Sequence, residues 1–147
     1  MNALYIPSSP LDALGPVSAA FRQQGINNFS EGLKWTHSLP YGRNSDRANY
    51  MLIFQELVGT CSTKHAPLAA LANENGIQIK LQMAICKLDV NLEPKASSLL
   101  EMMEIDFFPE AHCYLQYEDQ NIDITFPNQS PTLKIEIIEA QTKFNGN

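Results

Sequence analysis

Gly59-Thr60-Cys61-Ser62-Thr63-Lys64-His65 runs on through Pro67, Leu68, Leu71 and Ala72 into Glu74-Asn75-Gly76-Ile77, and this stretch decides the fold. Gly59 interrupts one helical pattern and Cys61 opens the next. Leu68, Leu71 and Ala72 mark the buried face of that helix, and Asn75-Gly76 stops it. Pro67 removes a hydrogen bond inside it, so a bend or an irregular first turn is expected. Directly after the stop, Ile77, Ile79, Leu81 and Met83 alternate with polar Lys80 and Gln82, the pattern of a half-buried strand.

Upstream the pattern is helical and rich in loops. Ser8-Ser9-Pro10 and Gly15-Pro16 are helix-start signals, Val17, Ala20 and Phe21 keep helical spacing, and Gly25 ends that segment. Ser30 is placed to cap a brief turn through Leu33 and Trp35, and Leu39-Pro40-Tyr41-Gly42-Arg43-Asn44 is turn chemistry. Ser45 or Asp46 then caps a helix carrying Met51, Leu52, Phe54 and Leu57. Downstream, strands are expected over 111–117, 121–126 and 132–139, with a helical turn over 99–103 and a tail over 141–147 polar enough to fray, from which Phe144 could dock locally. Helices first and an antiparallel sheet afterwards define an α+β fold.

With 147 residues, 44% hydrophobic and 18% charged, the chain matches one domain, 1–147, able to bury about two thirds of its unfolded surface. Its net charge of -6 and scattered basic residues weigh against a nucleic-acid partner. No segment approaches the roughly 18 uncharged apolar residues of a membrane span. The first residues, Met1-Asn2-Ala3-Leu4-Tyr5-Ile6-Pro7, lack an export signal, so a cytoplasmic protein is expected. Cysteines 61, 86 and 113 form no disulfide framework, and reduced thiols are expected.

Three dispersed residues carry the chemistry. A thiol at a helix N-terminus, as Cys61 would be, faces the positive end of the dipole and unpaired amides, and Lys64 adds charge nearby. In Ala111-His112-Cys113-Tyr114-Leu115, alternation places His112 with Tyr114 and Gln116 on a polar-leaning face and Ala111, Cys113 and Leu115 on a core face. Asp123 interrupts an apolar run between Ile122 and Ile124, and a hydrogen bond to His112 would relieve its burial. Nucleophile, base and orienting group are thus present in the order Cys61, His112, Asp123. For each there is a plainer reading, a buried thiol for Cys61 and solvated strand residues for the other two.

Cys61, His65, Cys86, His112 and Cys113 also have the donor types of a zinc site, but no CxxC pair exists, and His112 and Cys113 should point to opposite sides of a strand. No metal or cofactor is expected. His65, one helical turn after Cys61, borders the thiol or tunes its pKa. His37 reads as a surface histidine.

These residues resemble the transglutaminase-like members of the papain-like cysteine enzymes. The resemblance rests on Gly59-Thr60-Cys61 opening a helix, Ala111-His112 on a strand, and Asp123-Ile124-Thr125-Phe126-Pro127 after it, and it covers roughly residues 45–127. It implies a nucleophile-bearing helix packed on an antiparallel sheet, with Cys61 as nucleophile, His112 as general base and acid, and Asp123 orienting the imidazole. It further implies acyl transfer on a peptide or protein amide, by hydrolysis or by capture with an amine. Gln55, six positions before Cys61, has the spacing of the oxyanion glutamine of papain-like proteases. Trp35 and Asn44 are other candidates for that role, Trp35 reading better as a packing anchor. Many members carry an aromatic residue after the nucleophile and after the histidine, where this chain has Ser62 and Cys113. An inert peptide- or protein-binding module that keeps the same fold is the alternative.

Overall fold

The computed structural model describes residues 4–88, 101–104, 108–132 and 137–144. Among the described residues, four helices precede the sheet: α1 (Pro16–Gln23), α2 (Phe29–Ser38), α3 (Ile53–Glu56, entered by a 3-10 turn over Tyr50–Leu52) and α4 (Cys61–Glu74). Four strands follow: β1 (Ile79–Leu88), β2 (Phe108–Tyr117), β3 (Gln120–Ile122) and β4 (Ile137–Phe144). They form one antiparallel sheet in the order β3-β2-β1-β4. The α+β architecture expected from the sequence is the one observed.

Helix α4 is the spine of the molecule. Nine of its fourteen residues are buried, so it presents no solvated face of any width and must be covered on several sides. Leu68, Ala69, Leu71 and Ala72 meet Val17 and Phe21 of α1, Phe29 and Leu33 of α2, and Ile79, Leu115, Ile122 and Ile124 of the sheet side in one continuous core. The helix runs unbroken through Pro67. Its C-terminal Glu74 serves a neighbour: the carboxylate accepts the Val17 and Ser18 N–H groups (3.1 and 2.8 Å), capping the exposed donors of α1. Gly15 leaves the space for that carboxylate, which a Cβ there would strike.

Register sets which residues share a strand face, but both faces are buried in part: His112 and Tyr114, expected on a polar-leaning face, are buried, and Ala111, expected in the core, is exposed. Leu81 pairs with Leu115 and Met83 with Cys113, and Leu115 pairs with Ile122, so these residues share the face turned to α4. Ala84 pairs with His112 and Gln82 with Tyr114 on the opposite face. Strand β3 pairs only with Leu115–Tyr117, which leaves the β2 edge before Leu115 uncovered by it.

Several boundaries differ from expectation. Asn28, not Ser30, caps α2, its Oδ1 accepting the Glu31 N–H at 2.9 Å, and the helix spans ten residues. Asn49, not Ser45 or Asp46, begins the next helical segment, and α3 ends after one turn because Leu57 is left-handed (φ 57°). The strand expected over 121–126 ends at Ile122, since Asp123 Oδ1 accepts the Thr125 N–H (3.1 Å) in a local turn that diverts the chain. Gln141–Phe144 do not fray; they belong to β4 and pair with β1. Residues 99–100 of the expected helical turn and 133–136 of the expected last strand lie outside the described residues.

Candidate active site

Gly59-Thr60-Cys61 is built by close packing. Gly59 donates to the Pro40 carbonyl and accepts from Gly42 N–H, lying beside Tyr41. A Cβ at Gly59 would stand 2.8 Å from Lys64 Cγ and 3.1 Å from Thr63 Oγ1, so only glycine allows the helix to start this close. Thr60 is the N-cap, and its N–H donates to Thr63 Oγ1 at 2.8 Å. Cys61 is therefore the first helical residue, in a turn whose amides have no intrahelical acceptor.

The structure brings Cys61, His112 and Asp123 together. His112 Nε2 donates to Asp123 Oδ2 at 2.8 Å, which leaves Nδ1 as the nitrogen facing Cys61, and thiol and imidazole are hydrogen-bonded. Asp123 Oδ1 is held in turn by the Thr125 hydroxyl (2.5 Å) and N–H (3.1 Å). The Asp-x-Thr spacing thus has a mechanical meaning: the threonine fixes the carboxylate that fixes the ring.

The charge states follow from these contacts. The thiol of Cys61 falls to about 4, first because the Cys113 thiol donates to its sulfur and then, against the cost of burial, because His112 and the Cys113 N–H also stabilise the thiolate. His112 is carried up to about 10: burial opposes its charge, but Asp123 and the Cys61 sulfur outweigh it. Asp123 is lowered to about 2, its burial outweighed by His112 and by Thr125. The site therefore rests as a thiolate–imidazolium–carboxylate array. Buried Cys86 shows the contrast: without such donors, burial pushes its thiol up to about 11.

Cys113 reaches Cys61 although it alternates with His112 along β2. Both converge because the sulfur lies beside β2 beyond the end of β3, where it is approached by the Cys113 N–H and by the Cys113 and His112 side chains. The sequence-based expectation that His112 and Cys113 point apart holds for the strand faces and fails at the thiol.

Two neighbours in α4 play parts that the sequence did not reveal. Lys64 is fully buried and its Nζ donates to the carbonyls of Leu39 (2.6 Å), Thr125 (2.9 Å), Ile124 (3.4 Å) and His37 (3.5 Å). Burial lowers it to about 8, with Asp123 opposing. Its charge is spent on carbonyls, and the groups that activate the thiol are Cys113 and His112. His65, also fully buried, bridges Cys61 O (2.7 Å, through Nδ1) and the Ile124 N–H (2.9 Å, through Nε2). Since Ile124 can only donate, His65 is the neutral Nδ1–H tautomer, with both nitrogens engaged. A lysine and a histidine side by side in an otherwise apolar helix were the available signal for both.

The remaining candidates are placed as follows. Gln55 lies on α3 with its side chain exposed. Asn44 Nδ2 is committed to Glu56 Oε1 and the Val58 carbonyl, both at 3.0 Å. Trp35 stacks on Phe54 and meets the edge of Phe21, a packing role. His37 is not a solvated histidine: Nε2 lies 3.0 and 2.9 Å from the carbonyls of Phe126 and Gln129. Half-exposed Tyr41 stacks on Phe126, so the segment before the nucleophile and the segment after Asp123 are tied together at the surface.

No family model, curated protein or solved structure matches this chain. Among the described residues no helix is long and apolar enough to cross a membrane.

Proposed function

We propose that this protein is a cysteine-dependent acyl-transfer enzyme with a papain-like, transglutaminase-like core, acting on an amide of a peptide or protein. The observation that carries the reading is the His112 Nε2–Asp123 Oδ2 bond of 2.8 Å with the opposite ring nitrogen turned to Cys61 at the start of α4. Thiolate attack on the amide carbonyl forms a C–S bond. The His112 imidazolium then protonates the departing amine, and the neutral ring draws the proton from the water or amine that releases the acyl group. The Cys61 amide, in the unpaired first turn of α4, is placed to donate to the oxyanion.

The test is acylation at Cys61. An activated acyl donor such as a p-nitrophenyl ester is mixed with the protein, quenched in acid and mapped by peptide mass, with release followed in water and with added primary amine. An acyl adduct on Cys61, absent from Cys61→Ser and suppressed in His112→Ala, supports the enzyme. Intact Cys61 with no turnover overturns it and leaves the binding module. Faster release with amine than with water would mark transamidation.

A further inference from the structure

The Cys61 sulfur has a second thiol in contact, at the position where the resembled family often carries an aromatic ring. Cys113 donates both its S–H and its backbone N–H to that sulfur. Both cysteines are partly accessible, and they sit on different elements, the first turn of α4 and the part of β2 that β3 does not reach. Cys86 differs on each count, being buried on the opposite face, paired with Glu110 and packed with Tyr114. Two thiols joined by a hydrogen bond, one held as thiolate by its surroundings, are placed to react with each other once the thiolate is oxidised.

We infer that Cys61 and Cys113 form a reversible disulfide, with Cys61 as the sulfur that a hydroperoxide oxidises and Cys113 as the thiol that resolves it. The Cys61 thiolate attacks the terminal hydroperoxide oxygen. The O–O bond breaks, sulfur gives up two electrons, and the alkoxide released takes a proton from the His112 imidazolium, leaving Cys61 as sulfenic acid. Cys113 sulfur then attacks the sulfenic sulfur, the S–O bond breaks, and the hydroxide leaves as water with the Cys113 proton. An external dithiol reverses the product by supplying two electrons and two protons. The contact thus protects the nucleophile from the irreversible sulfinic stage and silences it while oxidised.

This inference depends on the contact of the two sulfurs and not on acyl transfer, so the two fail separately. The experiment treats wild type, Cys113→Ser and Cys86→Ser with hydrogen peroxide at equimolar dose, then maps peptides without reduction and with dimedone as the sulfenic trap. Expected are a 61–113 cross-link within the monomer in wild type and in Cys86→Ser, loss of Cys61 alkylation, and full recovery with dithiothreitol. In Cys113→Ser, dimedone labels Cys61 and higher oxidation follows. Conversion of Cys61 to sulfinic acid in wild type without a 61–113 cross-link overturns the inference, as does a peroxide response unchanged in Cys113→Ser. The wild-type map decides the matter even if a variant misfolds.

Discussion

His65 Nε2 accepts the Ile124 N–H at 2.9 Å, and its Nδ1 holds the Cys61 carbonyl at 2.7 Å, so one buried neutral ring links the nucleophile turn to the residue after Asp123. It is a positioning residue with its own pH signature. Burial holds its pKa below the ordinary 6.5, and Asp123, 3.8 Å away, opposes that shift. The unfolded chain takes up a proton near 6.5 while the folded ring resists, so this contribution is complete above that pH and declines below it. His65→Gln should cost about 1–3 kcal/mol at pH 7. Melting curves should show the gap between wild type and variant narrowing from pH 7 to pH 5; a constant gap would contradict the neutral tautomer.

Lys64→Met should destabilise the protein by about 3 kcal/mol in urea unfolding, because carbonyls of Leu39, Ile124 and Thr125 lose a charged donor in the interior. A change below about 0.5 kcal/mol would mean the carbonyls find other partners.

Thr125→Val removes the hydroxyl that holds Asp123 Oδ1 and keeps the volume. A hydrogen bond to a charged group is worth about 1.5–3 kcal/mol, so if that clamp transmits to His112 the Cys61 thiol, at about 4 in wild type, should rise by about one to two units and its alkylation at pH 4 should slow about fivefold or more. Unchanged alkylation with lowered stability would make Thr125 structural only.

Gly59→Ala places a methyl against Lys64 Cγ and Thr63 Oγ1 and should cost about 1–3 kcal/mol in urea unfolding by overpacking. Wild-type stability would show that the start of α4 yields freely.

The fold was legible where local rules decide and illegible where tertiary contacts do. Pro16, Asn75-Gly76 and the alternation after Ile77 announced α1, the end of α4 and β1, because caps and periodicity are local. Cys61, His112 and Asp123 were readable because each is a polar interruption of a structured pattern. The last strand was expected over 132–139 and is described over Ile137–Phe144; its C-terminal half hid in a polar tail, since its pairing with β1 is made by backbone groups that carry no side-chain signal. Lys64 and Cys113 were misjudged for one reason, that their partners are carbonyls and a sulfur supplied by segments distant in the chain, while His65 borders the nucleophile turn as expected.

That Cys61 is held as a thiolate by Cys113 and by His112, which Asp123 orients, is tested most directly by the rate of Cys61 alkylation against pH, read by peptide mapping in wild type, Cys113→Ser, His112→Ala and Asp123→Asn. The account predicts fast wild-type alkylation from just above the thiol's value of about 4, with the inflection displaced toward the free-thiol range near ~8.5 in His112→Ala and less so in Asp123→Asn. A wild-type inflection near that of an ordinary thiol, indifferent to His112, would contradict it.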